Sequence, residues 1–166
     1  MFIKTISQEK LKELLNYDMS TGQFYWLETR GRIKKDTIAG YIDNTGYIKI
    51  EIDGKKYRAH RLAWVYVHGS IPDGMIVDHI DGIKTDNRIF QLRLANFSQN
   101  NSNCGLRKNN KTGVKGVHFC RGKYRARIKL NGKYNHLGYF DTLEQAAQAY
   151  KDASPIYHGQ FGRTSW

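Results

Sequence analysis

Apolar positions along the first third of the chain recur first at helical and then at strand spacing. Leu11, Leu14 and Leu15 fall on one side of a helix over residues 7–16, with Ser7 placed to cap its N-terminus. Short apolar runs at 22–26 and 39–42, each bounded by polar turns, predict strands. Ile48, Ile50 and Ile52 then alternate with Tyr47, Lys49 and Glu51, the period of a half-buried strand, and Asp53-Gly54 supplies a hairpin turn. The stretch HRLAWVYVH at 60–68 predicts a helix stopped by Gly69, with Pro72 beyond. From Met75 the pattern shifts to a short strand (MIVDHI), a polar loop (DGIKTDNR), a second strand (LRLAN) and a helix for which Ser98 is the candidate cap.

Residues 101–112 are polar, basic and poor in apolar groups, which reads as a linker centred on 105–112 between a domain at 1–104 and another at 113–166. Beyond it, VKGVHF, YRARIKL and KYNHLGYF predict a three-strand meander with Asn131-Gly132 as a type I′ turn. The next segment, DTLEQAAQAYKDAS, opens with a capping box of Thr142 and Gln145. Leu143, Ala146, Ala147 and Tyr150 give it one apolar stripe that needs the sheet to cover it. The fold class is therefore α+β, with the C-terminal part a three-stranded antiparallel sheet on one helix.

Composition narrows the function classes. Of 166 residues, 27 are Lys or Arg against 15 Asp or Glu, a formal net charge of +12, and a chain this basic points to a polyanionic partner. Cys104 and Cys120 lie in no paired spacing, which argues against a zinc knuckle or a disulfide framework and fits a reducing cytoplasm. No window approaches the roughly 18 apolar residues of a membrane span, and residues 1–17 lack the apolar core of an export signal. No membrane partner is expected, and no protein partner is implied.

The charge is concentrated in the meander. Between Gly105 and Phe140 there are ten Lys or Arg and no Asp or Glu. In YRARIKL, alternation puts Tyr124, Ala126, Ile128 and Leu130 on one face and Arg125, Arg127 and Lys129 on the other. Register through the turn then sets Lys129 opposite Tyr134 and Arg127 opposite His136. The result is an apolar face for the helix and a cationic face suited to a DNA groove. Residues 113–153, with GVKGV, YRARI and LGYFDTLEQAAQAY, resemble the Apetala-type (ethylene-response-factor) DNA-binding domain. That resemblance implies double-stranded DNA contacts from Arg121, Lys123, Arg125, Arg127, Lys129, Tyr134 and His136. This chain has Tyr124 and His136 where the plant domain has tryptophans.

The middle third carries a second constellation: HRL at 60–62, VDHIDG at 77–82, DNR at 86–88 and SQN at 98–100. Together these resemble the HNH family of homing and phage endonucleases, whose catalytic unit is a ββα-metal (His-Me) finger. The resemblance implies a phosphodiester hydrolase using Mg²⁺ or Mn²⁺, with His79 as general base and Asp78 and Asn100 as hard oxygen ligands. His60 and Arg61 would support the site or contact phosphate. The family carries asparagine where this chain has Gln91, and that asparagine braces the loop that aims the histidine. Either Gln91 displaces the brace, or Asn87 supplies it, or the site is inactive. Asp78 and His79, adjacent on a strand, would point to opposite faces unless the strand end bends. His68 has no matching context and reads as structural.

Three functions follow as expectations. The first is a metal-dependent, site-specific homing endonuclease acting on double-stranded DNA in the cytoplasm, nicking one strand or cutting both through a homodimer or sequential nicks. The second is a DNA-binding regulator with a degenerate HNH fold. The third is an RNA-binding module, disfavoured because the sheet lacks closely spaced exposed aromatics.

Overall fold

The computed structural model describes residues 6–106 and 109–164. It is a mixed α and β fold whose contacts divide the chain into two compact units meeting at Leu94 and Ala95. In the first unit, helix α1 (Gln8–Leu14) is capped by Ser7, whose side chain accepts from Lys10 N. The chain leaves it directly into strand β1 (Leu15–Asp18), which pairs antiparallel with β2 (Gln23–Trp26). The helical spacing of the leucines extends one residue into β1, because Leu15 is buried equally well as the C-cap of the helix.

Strands β3 (Tyr41–Ile42), β4 (Ile48–Ile52) and β5 (Lys55–Arg58) form an antiparallel sheet ordered β3-β4-β5. The Asp53-Gly54 turn joins the last two, with both residues at positive φ (49° and 74°) as a type I′ turn requires. Helix α2 (Ala59–His68) follows without a break and ends at Gly69. Strands β6 (Ile76–His79) and β7 (Leu92–Ala95) pair to close the unit. Its core gathers Leu11, Leu15, Phe24, Ile50, Leu62 and Val65, each at most 1 % exposed, so α1, the sheets and α2 share one apolar centre. His68 stacks on Trp64 at the exposed end of α2, with ring centroids 4.2 Å apart.

The second unit begins with helix α3 (Phe97–Asn103). Asn96 caps it rather than Ser98: Asn96 accepts from Gln99 N, and Gln99 reaches back to Asn96 N, a complete capping box. The last carbonyls of α3 are held by Lys115, whose Nζ donates to Ser102 O and Cys104 O. Ser102 also meets His158 Nδ1 at 3.1 Å. The helix is thus grouped with the C-terminal sheet, not with the strands that precede it.

That sheet is β10-β9-β8, built from β8 (Val117–Cys120), β9 (Lys123–Leu130) and β10 (Lys133–Phe140). Helix α4 (Leu143–His158) covers one face, with the Thr142–Gln145 capping box in place. Val117, Ala126 and Ile128 are fully buried against Ala146 and Tyr150. A side chain at Gly116 would run into the Tyr150 ring, so sheet and helix approach closely there. Helix α4 continues through Pro155, beyond the segment its apolar stripe marks out. Among the described residues no helix is long and apolar enough to cross a membrane.

Candidate functional site

The first unit gathers three of the polar residues singled out in its sequence. His79 ends β6, His60 lies in the first turn of α2, and Asn87 sits in the loop between β6 and β7. All three are buried, at 6 %, 4 % and 1 % exposure. Asn87 Oδ1 is 3.2 Å from His79 Nε2, and the His60 and His79 rings meet edge to face at 4.7 Å. An amide oxygen facing Nε2 accepts a proton carried there, and in that tautomer the lone pair lies on Nδ1.

Burial sets the protonation of both histidines. Desolvation, helped by the charges of His79, Arg58 and Arg61, pushes the His60 imidazole down to about 2. Desolvation also lowers His79, partly countered by the bond to Asn87 and by the carboxylates of Asp78 and Asp86. A neutral imidazole is the form that can accept a proton.

The loop that carries Asn87 is held from outside. Tyr17 on β1 donates its hydroxyl to Asn87 O at 2.6 Å. Burial, chiefly, pushes that phenol up to about 12, so it remains a donor. Gly22, at φ 74°, lies against the same segment: a Cβ there would stand 2.5 Å from Arg88 N and 2.6 Å from Asn87 C. Neither residue is recognisable from the sequence pattern, since both act across the fold. Asp86 and Arg88 lock the loop locally through a paired carboxylate–guanidinium contact.

Asp78 and His79 have different neighbours, as alternation along a strand requires. Asp78 Oδ2 accepts from Arg93 Nε on the partner strand at 3.1 Å, and the pair is nearly buried. The Asp78 charge still reaches His79. Arg61 follows His60 on α2, half-buried and lowered by desolvation and by Arg58. Gln91 lies in the 3-10 turn at Ile89–Gln91 and gives its backbone carbonyl to Ile80 N. Asn100 is carried by α3 in the second unit. No cluster of three His, Cys, Asp or Glu forms among the described residues.

The second unit presents the basic sheet. Register pairs Lys129 with Tyr134, Arg127 with His136 and Arg125 with Tyr139. The Arg127 guanidinium stands 4.1 Å from the Tyr134 ring centroid, and Lys129 Nζ stands 5.3 Å from it. Arg125, Arg127, Tyr134, His136 and Tyr139 line a shallow groove. Lys123 differs from the rest, being offset by Asp141 at 3.0 Å. Arg121 lies in the β8–β9 turn at φ 51°.

Two members of this face escape strand alternation or the choice of contacts. His118 is paired with Arg125 and meets Arg127 at 3.4 Å. Tyr139 joins the face because a β-bulge at Leu137 shifts the register between His136 and Gly138.

Residues 57–102 match the family model described as HNH endonuclease. Protein 3.8 of Escherichia phage T7 is 33 % identical over 111 residues, covering 66 % of this chain and 91 % of the relative. An uncharacterized HNH endonuclease, L560, of Acanthamoeba polyphaga mimivirus is 34 % identical over 122 residues. That match covers 73 % of this chain and 63 % of the relative. Among solved structures, one described as DNA binding and cleavage by the HNH homing endonuclease I-HmuI aligns with 92 % of this chain and 90 % of its own. Its TM-score is 0.47 and its identity 19 %.

Proposed function

The chain belongs to the HNH endonuclease family, and from that premise we propose a metal-dependent endonuclease of the homing type that hydrolyses double-stranded DNA at a recognised site. The observation that carries this reading is the buried pair of His79 and Asn87. His79 is the general base: its Nδ1 takes a proton from the attacking water, while Asn87 holds the Nε2 proton and the ring orientation. His60 packs against that ring as a neutral wall. Arg61 contacts the phosphate.

The donor chemistry fits a hard cation. The Asp78 carboxylate is an oxygen ligand of the kind Mg²⁺ or Mn²⁺ takes, and the Asn100 amide, carried by the second unit, is a donor of the same class. A cation bound there would take up charge on the leaving 3′-oxygen. Arg93 holds the Asp78 carboxylate in one orientation. The basic sheet supplies the grip on DNA through Arg121, Lys123, Arg125, Arg127, Lys129, Tyr134 and His136, in a domain of Apetala type. The two segments act as a cutting domain and a binding domain, in the cytoplasm. One such finger attacks one strand at a time, so cutting both needs a second copy or two successive nicks.

The test uses supercoiled plasmids carrying a library of candidate targets, with Mg²⁺ or Mn²⁺. Wild type is expected to give nicked or linear product, and His79→Ala to bind the same DNA without cutting it. Bound but intact DNA under both metals would leave a DNA-binding regulator in place of the nuclease. Equal cutting by His79→Ala would remove His79 as the base.

A further inference from the structure

We propose that Arg58 and Lys84, converging on the ring of Tyr47, form a clamp for the DNA phosphate next to the one that is cut; the inference rests on the nuclease reading above. Tyr47 is fixed by the turn before β4. There Asp43 Oδ1 accepts from Thr45 N at 2.8 Å, Thr45 Oγ1 at 2.6 Å and Tyr47 N at 3.1 Å, and Lys49 Nζ pairs with Asp43 Oδ2 at 2.9 Å. So held, the ring lies 5.3 Å from His60 and 6.0 Å from His79, centroid to centroid.

Two cations from separate segments meet this ring. Arg58 closes β5 and sets its guanidinium 4.3 Å from the centroid. Lys84, in the loop after β6, sets its ammonium 5.0 Å from the same centroid and donates to Thr45 O at 2.8 Å. Attraction to the face of the ring is enough to account for one of them. Bringing the second adds repulsion that the ring does not remove. Among the described residues neither forms an ion pair with a carboxylate, whereas Lys49 and Lys56 on the same sheet do.

An anion placed between the two cations would relieve their repulsion. Arg58 is also the N-cap of α2, with no side-chain cap and no acidic residue in the first turn, so the positive end of the helix adds to the attraction. A guanidinium fork and an ammonium together match the two non-bridging oxygens of a phosphodiester. Because Tyr47 packs against His79, a phosphate held there neighbours the one presented to the base. The substrate class is duplex DNA backbone, read without regard to sequence.

Binding of a short duplex oligonucleotide, measured without divalent metal across a salt series, tests this for wild type, Arg58→Gln, Lys84→Gln and the double variant. Each single change should make the log–log salt slope shallower by about 0.9, the value for one phosphate contact, and the double variant by about twice that. With metal, KM should rise while kcat changes little. Thermal melts establish that each variant is folded, and Lys84→Gln in its surface loop still decides the matter if the Arg58 changes do not fold. Wild-type slope and KM in folded Lys84→Gln would overturn the clamp. A lost slope in protein that never cuts DNA would instead sink the nuclease reading, and with it the placement beside a cut phosphate, leaving Arg58 and Lys84 only as phosphate contacts.

Discussion

Asn87 and His79 are joined side chain to side chain, Oδ1 to Nε2 at 3.2 Å, across a loop that is otherwise exposed. The bond does two things at once: its acceptor oxygen suits the tautomer with the lone pair on Nδ1, and it raises His79 against the larger effect of desolvation. In Asn87→Ala both are lost. Single-turnover cleavage should slow by about 10–100-fold, the usual cost of removing a residue that orients a functional histidine. The acidic limb of the pH–rate profile should move to lower pH, since a contribution that raises His79 has gone. A slower variant whose limb stays put would mean Asn87 acts only as packing.

Asn87 is itself positioned by Tyr17 and Gly22. Tyr17→Phe removes one buried hydrogen bond and should cost about 1 kcal/mol in urea melts, with a smaller loss of rate than Asn87→Ala. Gly22→Ala should cost more, since it strains a positive φ and meets backbone at 2.5 Å. If Gly22→Ala melts like wild type, the close approach to the Asn87 segment is not a constraint on the fold.

Stability should fall on mild acidification. His60 stays neutral in the folded protein down to about 2, while in the unfolded chain it takes a proton near 6.5. The unfolded state therefore binds the extra proton between those values. Stability from this group is complete above pH 6.5 and drains as pH drops, by about 1.4 kcal/mol per pH unit. The lowered His79 acts in the same direction. Urea melts at pH 7.5 and 5.5 should differ by about 1.4 kcal/mol or more, and His60→Gln should abolish the His60 share of that difference. An identical pair of wild-type melts would mean that His60 takes up its proton in the fold as it does in the unfolded chain.

What could be read in the sequence was local. The isoleucine alternation of β4, the Asp53-Gly54 turn and the Thr142–Gln145 capping box each depend on residues within a few positions, and each has its signature in the structure. Where two local rules compete, the sequence misleads: Ser98 is a good cap residue, but Asn96 is followed by Gln99 at the spacing that closes a full box. The surroundings of His79 were less legible. Asn87 reaches it from eight positions further along the chain, and Tyr17 meets Asn87 from 70 positions away. Such contacts are tertiary, and no periodicity announces them.

The basic sheet gives the sharpest case, because one irregular residue changes which side chains share a face. Strict alternation from Tyr134 and His136 would send Tyr139 to the apolar side. The bulge at Leu137 instead leaves Gly138 opposite buried Ala126 and Tyr139 opposite Arg125, where its ring lies tilted against that of His136 with centroids 4.8 Å apart. Gly138 makes this possible: its φ is 145°, and a Cβ would stand 2.9 Å from the Phe140 ring. If the sheet is the surface that grips DNA, Tyr139→Ala should weaken duplex binding without altering its salt slope, because an uncharged ring neutralises no phosphate. Arg127→Gln should weaken it and flatten the slope by about 0.9. Gly138→Val should behave like Tyr139→Ala, since a branched side chain there disturbs the bulge and carries Tyr139 off the face. Wild-type affinity in both Tyr139→Ala and Gly138→Val would place DNA elsewhere on the sheet, and an unchanged slope in Arg127→Gln would remove that guanidinium from the phosphate contacts.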